Sequence, residues 1–359
     1  MIRAVGAISG TSMDAIDVAV LESDGLSAVR MLGGGAFPYP PALRTALQAV
    51  IADPARAESG DLDSLEADVT DAFADAIQRV LVQGGIDLGT VDLVGLHGQT
   101  VFHRPEKRFT RQLGDGARLA RLLGRPVVNR FRHADVAAGG QGAPLVPLYH
   151  AALSAGLEMP LVVLNLGGVA NITYLDGETV LACDTGPASA LIDDAMMHHF
   201  GQPYDRDGAV AQAGRVDTAL LGRWLDHPFF RQPLPKSLDR NDFHRLTRDA
   251  RQLGPEDEVA TLTAFTIAAT SAITRHLPKP ARQWLVTGGG RHNPVFMRGF
   301  AATLGVPVEP VEAAGWDGDL LEAECFAYLA IRSRLGLPLS LPGTTGVPVP
   351  MPGGEFWPA

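Results

Sequence analysis

The sequence predicts an α/β protein made of two similar domains with a ligand held between them. Three observations carry this reading. At 359 residues the chain exceeds what one ordinary hydrophobic core supports. Segments with the period-two pattern of strands alternate with helical segments. An apolar strand, a glycine turn and a returning strand also occur twice, near residues 4 and 161, about 155 residues apart. That separation is too long for a solenoid repeat and reads as duplication.

The first strand covers about 4–9, turns through Gly10-Thr11-Ser12 and returns over about 16–22. There Ile16, Val18 and Val20 alternate with Asp17, Ala19 and Leu21. No helix follows the glycine and no G-x-x-x-x-G-K-[ST] occurs, so a β-hairpin, not a Rossmann or Walker loop, presents this turn. Helical stretches at 41–52 and 62–83 precede the strand VDLVGL (91–96) and a loop-rich region, 97–147. In the second half, LVVLNLGGVANITYL gives a strand, a Gly167-Gly168 turn and a second strand over about 171–175. Asp176-Gly177 is a two-residue hairpin signal, and TVLACD forms a third strand ending at Asp184. TGPASALIDDAMMHHF reads as a helix with Pro187 in its first turn. A long helix (about 256–276), the strand QWLVT (283–287), a helix over 294–304 and another over about 320–335 follow. The tail LPLSLPGTTGVPVPMPGGEFWPA holds too many prolines and glycines for regular structure. Domains are expected at 1–130 together with about 336–359, and at 131–335.

Composition narrows the function. Apolar residues make up 46% and charged residues 19%, which fits a packed enzyme and excludes a disordered or fibrous chain. A net charge of −10 argues against a basic surface for nucleic acid. Two cysteines, Cys183 and Cys325, make no disulfide framework and suit a reducing cytoplasm. No signal-peptide pattern opens the sequence, and no run of eighteen apolar residues is present to cross a bilayer. Lys107, Lys236 and Lys279 are the only lysines, against twenty-seven arginines, and none lies in a glycine loop.

The polar residues beside the glycines point to chemistry. Gly10 permits close backbone approach, Thr11 and Ser12 add donors, and a turn's successive amides can form an anion nest. Asp14 and Asp17 would repel phosphate directly but could hold Mg²⁺ through water; a self-satisfied hairpin turn is the plainer alternative. Gly167 and Gly168 offer a second such turn. Gly288, Gly289 and Gly290 bare the backbone before an Asn293-Pro294 helix start, where a flat nucleoside can lie; an ordinary strand–helix connection is the alternative. Asp184 ends an apolar strand, placed either to cap the next helix or to act as a catalytic base. In LHGQTVFHRP, His97, Gln99, Thr100, His103 and Arg104 cluster after a strand, and Arg132 and Asp135 could share their pocket. These donors suit sugar hydroxyls and a carboxylate better than a metal, because no ligand set is complete; surface hydrogen bonding explains any one of them alone. Asp319 and Glu322 have capping-box spacing. YDRDGAVA lacks the later glutamate of a calcium loop.

Taken in order, SGTSMDAID, HGQTVFHRP, FRHADVAAGGQGAPLVP, NLGGVANIT, CDTGPAS and TGGGRHNP closely resemble the anhydro-N-acetylmuramic acid kinases over nearly the whole chain. GDGARLA, YDRDGA, PKSLDR, EAECFAYLA and LPGTTG resemble that family too. The resemblance implies two ribonuclease-H-like domains of the actin-like ATPase kind, closing an interdomain active-site cleft around ATP and Mg²⁺. It implies a first phosphate loop at Gly10, Thr11, Ser12, Met13, Asp14, Ala15, Ile16 and Asp17. A second follows at Gly167, Gly168 and Asn171, and an adenosine loop at Gly288, Gly289, Gly290 and Asn293. His97, Gln99, Thr100, Arg132 and Asp135 would line the sugar site; metal ligands are not assigned. Family members cleave the 1,6-anhydro bond with water and phosphorylate the freed 6-oxygen, giving N-acetylmuramic acid 6-phosphate in cell-wall recycling. By the resemblance Asp184 would be the general base, and Glu322, which matches a family glutamate near the sugar, would assist as a second catalytic residue.

The resemblance further implies a cytoplasmic homodimer whose partners are the anhydro amino sugar and ATP, with neither nucleic acid nor membrane. One departure stands out: the family usually continues DTGP with Gly-Asn, where this chain has Ala188-Ser189. That change keeps open a kinase for another small sugar. A nucleotide-driven, actin-like switch is the rival of another class, and the HGQTVFHRP cluster argues against it.

Overall fold

The computed structural model describes residues 1–10, 13–236, 243 and 247–359. Thr11 and Ser12, both expected in the first phosphate loop, lie outside the described residues. The chain divides into two compact units, Met1–Ala155 with Leu320–Ala359, and Gly156–Asp319. This division differs from the expected one: residues 131–155 and the helix Leu321–Arg334 belong to the first unit.

In the first unit, β1 (Ile2–Ser9), β2 (Ile16–Ser23) and β3 (Val29–Phe37) form an antiparallel meander. On the other side of β1 lie β4 (Leu93–Arg104) and β6 (Val127–Asn129), both parallel to their inner neighbour, while β5 (Phe109–Leu113) pairs antiparallel with β4. The second unit repeats the plan with β7 (Leu161–Leu166), β8 (Val169–Asp176), β9 (Thr179–Pro187), β10 (Gln283–Thr287) and β11 (Val308–Pro310), in the order β11-β10-β7-β8-β9. Each sheet therefore has a hairpin-connected antiparallel edge and a parallel edge around its first strand, as expected of two ribonuclease-H-like domains.

Several expectations need correction. The region 97–147 is not mainly loop: β4 runs on to Arg104, and β5, the helix Gly116–Leu123 and β6 follow. Pro187 ends β9 instead of entering the helix, which starts at Ser189. The glycine-rich β3 had no strand signal, because Gly33, Gly34 and Gly35 interrupt its alternation. The tail is partly regular. Pro342–Thr345 is a helical turn, and β12 (Glu355–Trp357) pairs antiparallel with β6.

The helix Leu321–Arg334 is buried almost all round against the first sheet. Its approach is possible because two facing strand positions are glycine. A Cβ at Gly6 would sit 1.9 Å from the Ala323 carbonyl oxygen, and one at Gly95 would sit 2.2 Å from that of Phe326. These are backbone obstacles that no rotamer change relieves. The second unit's core instead centres on aromatic rings, with Phe230, Phe243 and Phe265 in mutual contact and Trp224 against Phe265. Replacing Gly95 by Ala is expected to destabilise the protein by about 1–3 kcal/mol, seen as a lower urea midpoint; an unchanged midpoint would show the helix–sheet contact to be slack.

Candidate active site

In the first unit, the turn between β1 and β2 is closed by the Met13 amide donating to the Gly10 carbonyl at 3.1 Å. Met13 and Ile16 are buried in the core, so these two loop residues anchor the turn from below. Asp14 is exposed and accepts from Arg44 Nη2 at 2.8 Å. Asp17 is half-buried on β2, opposite Ile8 of β1. Ala15 is half-buried between the two aspartates.

The polar cluster lies on β4 itself. Ala7 pairs with Leu96 and Ile8 with Gly98, which leaves His97 as the extra residue of a β-bulge. Bulges re-aim side chains beside functional sites. Beyond it, Gln99 is opposite Ser9, and its Nε2 donates to the Gly10 carbonyl at 3.2 Å, so Gln99 steadies the first glycine turn. Gln99 Oε1 is buried and has no partner among the described residues. Thr100 Oγ1 accepts from Gln112 Nε2 at 3.3 Å.

His97 and Arg132 form one assembly. His97 Nδ1–H donates to the Gly98 carbonyl at 3.0 Å, so its Nε2 is free to accept from Arg132 Nε at 2.9 Å. Arg132 Nη1 also donates to the Gly142 carbonyl at 2.7 Å. Asp135 is buried and spends its carboxylate internally. It accepts from the Gly142 amide and Thr345 Oγ1, both at 2.6 Å, and from Ser340 Oγ. Asp135 thereby ties the 138–142 loop to the C-terminal tail.

Glu322 opens the helix Leu321–Arg334, but not as a capping-box partner. The N-cap is Leu320, and Asp319 instead accepts from Arg291. Glu322 keeps an accessible face, yet the protein around the rest of it raises its carboxyl above the usual range, against the pull of Arg132. Burial lowers Arg132, with the Glu322 carboxylate opposing most strongly.

In the second unit, directly opposed residues on four adjacent strands place Thr287, Asn165, Asn171 and Asp184 in one row. Side chains opposite one another across a sheet share a face. Asp184 ends this row beside a second bulge, with Thr185 the unpaired residue of β9. Its amide donates to the Lys236 carbonyl at 2.9 Å. The Lys236 ammonium donates to the Phe229 carbonyl at 3.0 Å and lies over the Phe229 ring; burial lowers its pKa, while the Asp184 carboxylate is among the charges opposing that. Lys236 thus supplies an ammonium near a strand end whose flanking glycine loops contain no lysine.

The Gly167 and Gly168 carbonyls face the next helix. Gly168 accepts from the Ala188 amide at 3.1 Å, and Gly167 from the Ser189 amide at 3.0 Å and Ser189 Oγ at 2.8 Å. The amides of Gly167 and Gly168 donate no backbone hydrogen bond among the described residues. They are therefore available as a two-donor anion nest. Ala188 is wholly buried in the core, so the methyl that replaces the usual glycine is absorbed by packing while the backbone bonds to the turn persist.

Gly288 has φ +76°, and a Cβ there would lie 2.5 Å from Asn165 Oδ1. The triple-glycine loop is thus pressed against the polar row. Arg291 clamps it, donating to the Gly288 carbonyl, Glu312 and Asp319. Asn293 caps the following helix through the Val295 amide at 2.9 Å. Gly289, Gly290 and Asn293 line a cavity of about 530 Å³ together with Ser189, Tyr204 and Phe296. YDRDGAVA forms another wall, where Asp205 accepts from the Val210 and Ala211 amides. Among the described residues, no group of three or more His, Cys, Asp or Glu side chains is placed to hold a metal.

Sequence reasoning missed Asn165, Thr287, Lys236 and Ser189. Asn165 had a signal, a lone amide in the apolar strand LVVLNL; Lys236 had none, because its approach to Asp184 is tertiary.

Fold and site together define a class: a duplicated ribonuclease-H-like protein with a glycine turn at the hairpin of each sheet and an acid at the end of a strand. The family model for anhydro-N-acetylmuramic acid kinase matches residues 2–359. Proteins bearing that name are similar throughout. The one from Rhizorhabdus wittichii is 50% identical, covering 98% of this chain and 97% of its own. That from Paramagnetospirillum magneticum is 49% identical over 98% of each chain. That from Rhodospirillum rubrum is 48% identical, over 99% and 94%. The chain belongs to the anhydro-N-acetylmuramic acid kinase family.

Three buried or half-buried histidines, His97, His103 and His150, set a pH dependence of stability. Burial holds His97 well below 6.5, brings His103 to about 4 and His150 to about 3. Below about pH 6.5 the unfolded chain protonates these rings and the folded one does not, so stability is lost as pH falls. The urea midpoint should drop between pH 6.5 and 4, with each fully buried ring contributing up to about 1.4 kcal/mol per pH unit. A flat profile would mean that the rings take up protons in the native state.

Proposed function

We propose that this protein opens 1,6-anhydro-N-acetylmuramic acid with water and phosphorylates its 6-oxygen from ATP, yielding N-acetylmuramic acid 6-phosphate and ADP for cell-wall recycling. Family membership supplies the reaction, and the observation that supports it most directly is the position of Asp184. It closes a row of polar side chains beside a turn with two open amides.

Asp184 acts as general base. It takes one proton from water as the water oxygen bonds to the anomeric carbon; the second proton stays on the new anomeric hydroxyl. The bond from that carbon to the 6-oxygen breaks, and the 6-oxygen attacks the γ-phosphorus and displaces ADP. The Gly167 and Gly168 amides bind phosphate oxygens, where fixed donors stabilise charge without reorganising. The cavity beside Gly289, Gly290 and Asn293 takes the adenosine. By the family resemblance, Gly10 and its neighbours also bind phosphate.

Arg132 and Glu322 hold the sugar's polar substituents, with Thr100 at the edge of the same cluster. His97 and Asp135 act behind them, because their hydrogen bonds are internal. Mg²⁺ would be held chiefly by the phosphates of ATP. Such an ion needs few protein ligands and usually keeps several waters. Asp17 would reach it through water, and Asp14 would do so only on leaving Arg44. Bound there, the ion would neutralise charge on the transferring phosphoryl group.

The buried, unpaired thiols of Cys183 and Cys325 suit a reducing cytoplasm. A homodimer is proposed from the resemblance alone, and light scattering at twice 38.0 kDa checks it.

Incubation with ATP, Mg²⁺ and the anhydro sugar should give a ring-opened 6-phosphate, with oxygen from labelled water at the anomeric carbon. Label absent from that carbon would overturn the hydrolytic step. Asp184→Asn should lower kcat by about 10²–10⁴-fold while ATP affinity, read by calorimetry, stays within a few-fold; undiminished turnover would remove its role as base.

A further inference from the structure

We infer that His97 is a positioning residue for the sugar reaction: its Nε2 lone pair fixes the direction in which Arg132 presents its remaining donors. This rests on the reading of Arg132 as a sugar contact. His97 is 5% exposed, too little for a ligand to reach, and both of its nitrogens are committed within the protein.

The geometry is over-determined. The bulge at His97 turns the ring out of the alternation of β4. The Nδ1–H bond to the Gly98 carbonyl selects the tautomer and leaves Nε2 as the acceptor. The ring lies on Phe326, with centroids 4.3 Å apart and planes inclined by 36°. Phe326 is four residues after Glu322 on the same helix, hence on the same face. One aromatic contact therefore places the ring that aims Arg132 against the helix face that carries the nearby glutamate. The guanidinium is held at Nε by His97 and at Nη1 by Gly142. A guanidinium has five N–H donors, so its remaining edge is directed but not spent.

The choice of histidine has a physical rationale. A carboxylate in its place would hold Arg132 more strongly, but would neutralise the charge that an anionic substituent of the sugar needs. A neutral imidazole orients the cation and leaves its charge available. Glu322, Cys325 and Asp135 face Arg132, while Arg132 itself, His103 and His133 face the His97 ring. Burial and the Arg132 charge both disfavour the imidazolium, so the acceptor persists across the working pH range.

The test compares His97→Phe, which keeps a flat ring on Phe326 but lacks the acceptor, with His97→Gln, whose amide oxygen can reach the Nε2 position. His97→Phe should raise KM for the anhydro sugar by about ten-fold or more, as expected for losing a hydrogen bond to a charged group, with KM for ATP unchanged. His97→Gln should recover most of that loss. In an Arg132→Ala background, His97→Phe should add nothing further to the sugar KM. Equal sugar KM values for the Phe and Gln variants, or full additivity with Arg132→Ala, would overturn the proposal. If His97→Phe does not fold, His97→Asn takes its place, since its shorter amide cannot reach Nε2. Arg132→Ala alone separates the two readings. Without effect on sugar KM, it removes the sugar-contact assignment and this proposal with it. With an effect that His97→Phe does not share, it removes only the positioning role.

Discussion

The first unit depends on how closely the helix Leu321–Arg334 lies on its sheet. Gly6 and Gly95 remove the side chains that would hold the helix away, so strand and helix backbones meet directly. That contact sets Phe326 beneath His97 and Phe131, and it sets Glu322 one turn earlier. A wider helix–sheet spacing would leave the His97 ring unsupported, and the cation it holds would lose its direction. The direction of the Arg132 guanidinium is therefore bounded by packing at two glycines.

The second unit solves a related problem with strand register. A β-hairpin brings the Gly167-Gly168 turn to the sheet end, and the register of four strands aligns Thr287, Asn165, Asn171 and Asp184 there. The bulge at Thr185 lets β9 carry Asp184 on that row and still deliver Ala188 and Ser189 to the turn's carbonyls. Those carbonyls are satisfied by the helix, while the two amides donate no backbone hydrogen bond among the described residues. Arg291 holds the neighbouring triple-glycine loop through three acceptors, which gives flexible sequence a fixed position.

Much of this was legible in the sequence, for identifiable reasons. Period-two alternation gave β2, apolar runs leading into glycine turns gave β1 and β7, and the Asp-Gly pair at 176 gave the turn into β9. Asn293-Pro294 gave a capped helix. What failed were features that local pattern does not encode. Three glycines hid β3, and a strand that continues through His97 and Gly98 looked finished at Leu96. Asp319 and Glu322 had the right spacing for a capping box, but Arg291, far away in sequence, takes Asp319. At the site, the residue types were readable and their division of labour was not. His97 and Asp135 look like ligands in a linear motif, and only hydrogen-bond partners show that they face inward. Lys236 carried no local signal at all.

The bond network around Asp135 has a consequence for synthesis. Ser340 and Thr345 close onto Asp135, β12 closes onto β6, and Leu321–Arg334 covers strands from the first hundred residues. A chain emerging from the ribosome completes Gly156–Asp319, a contiguous stretch, before it holds the parts to finish the unit that began it. Until residues 320–359 emerge, the apolar face of β1 and β4 lacks the helix that covers it, the kind of exposed surface that makes a folding intermediate prone to aggregate.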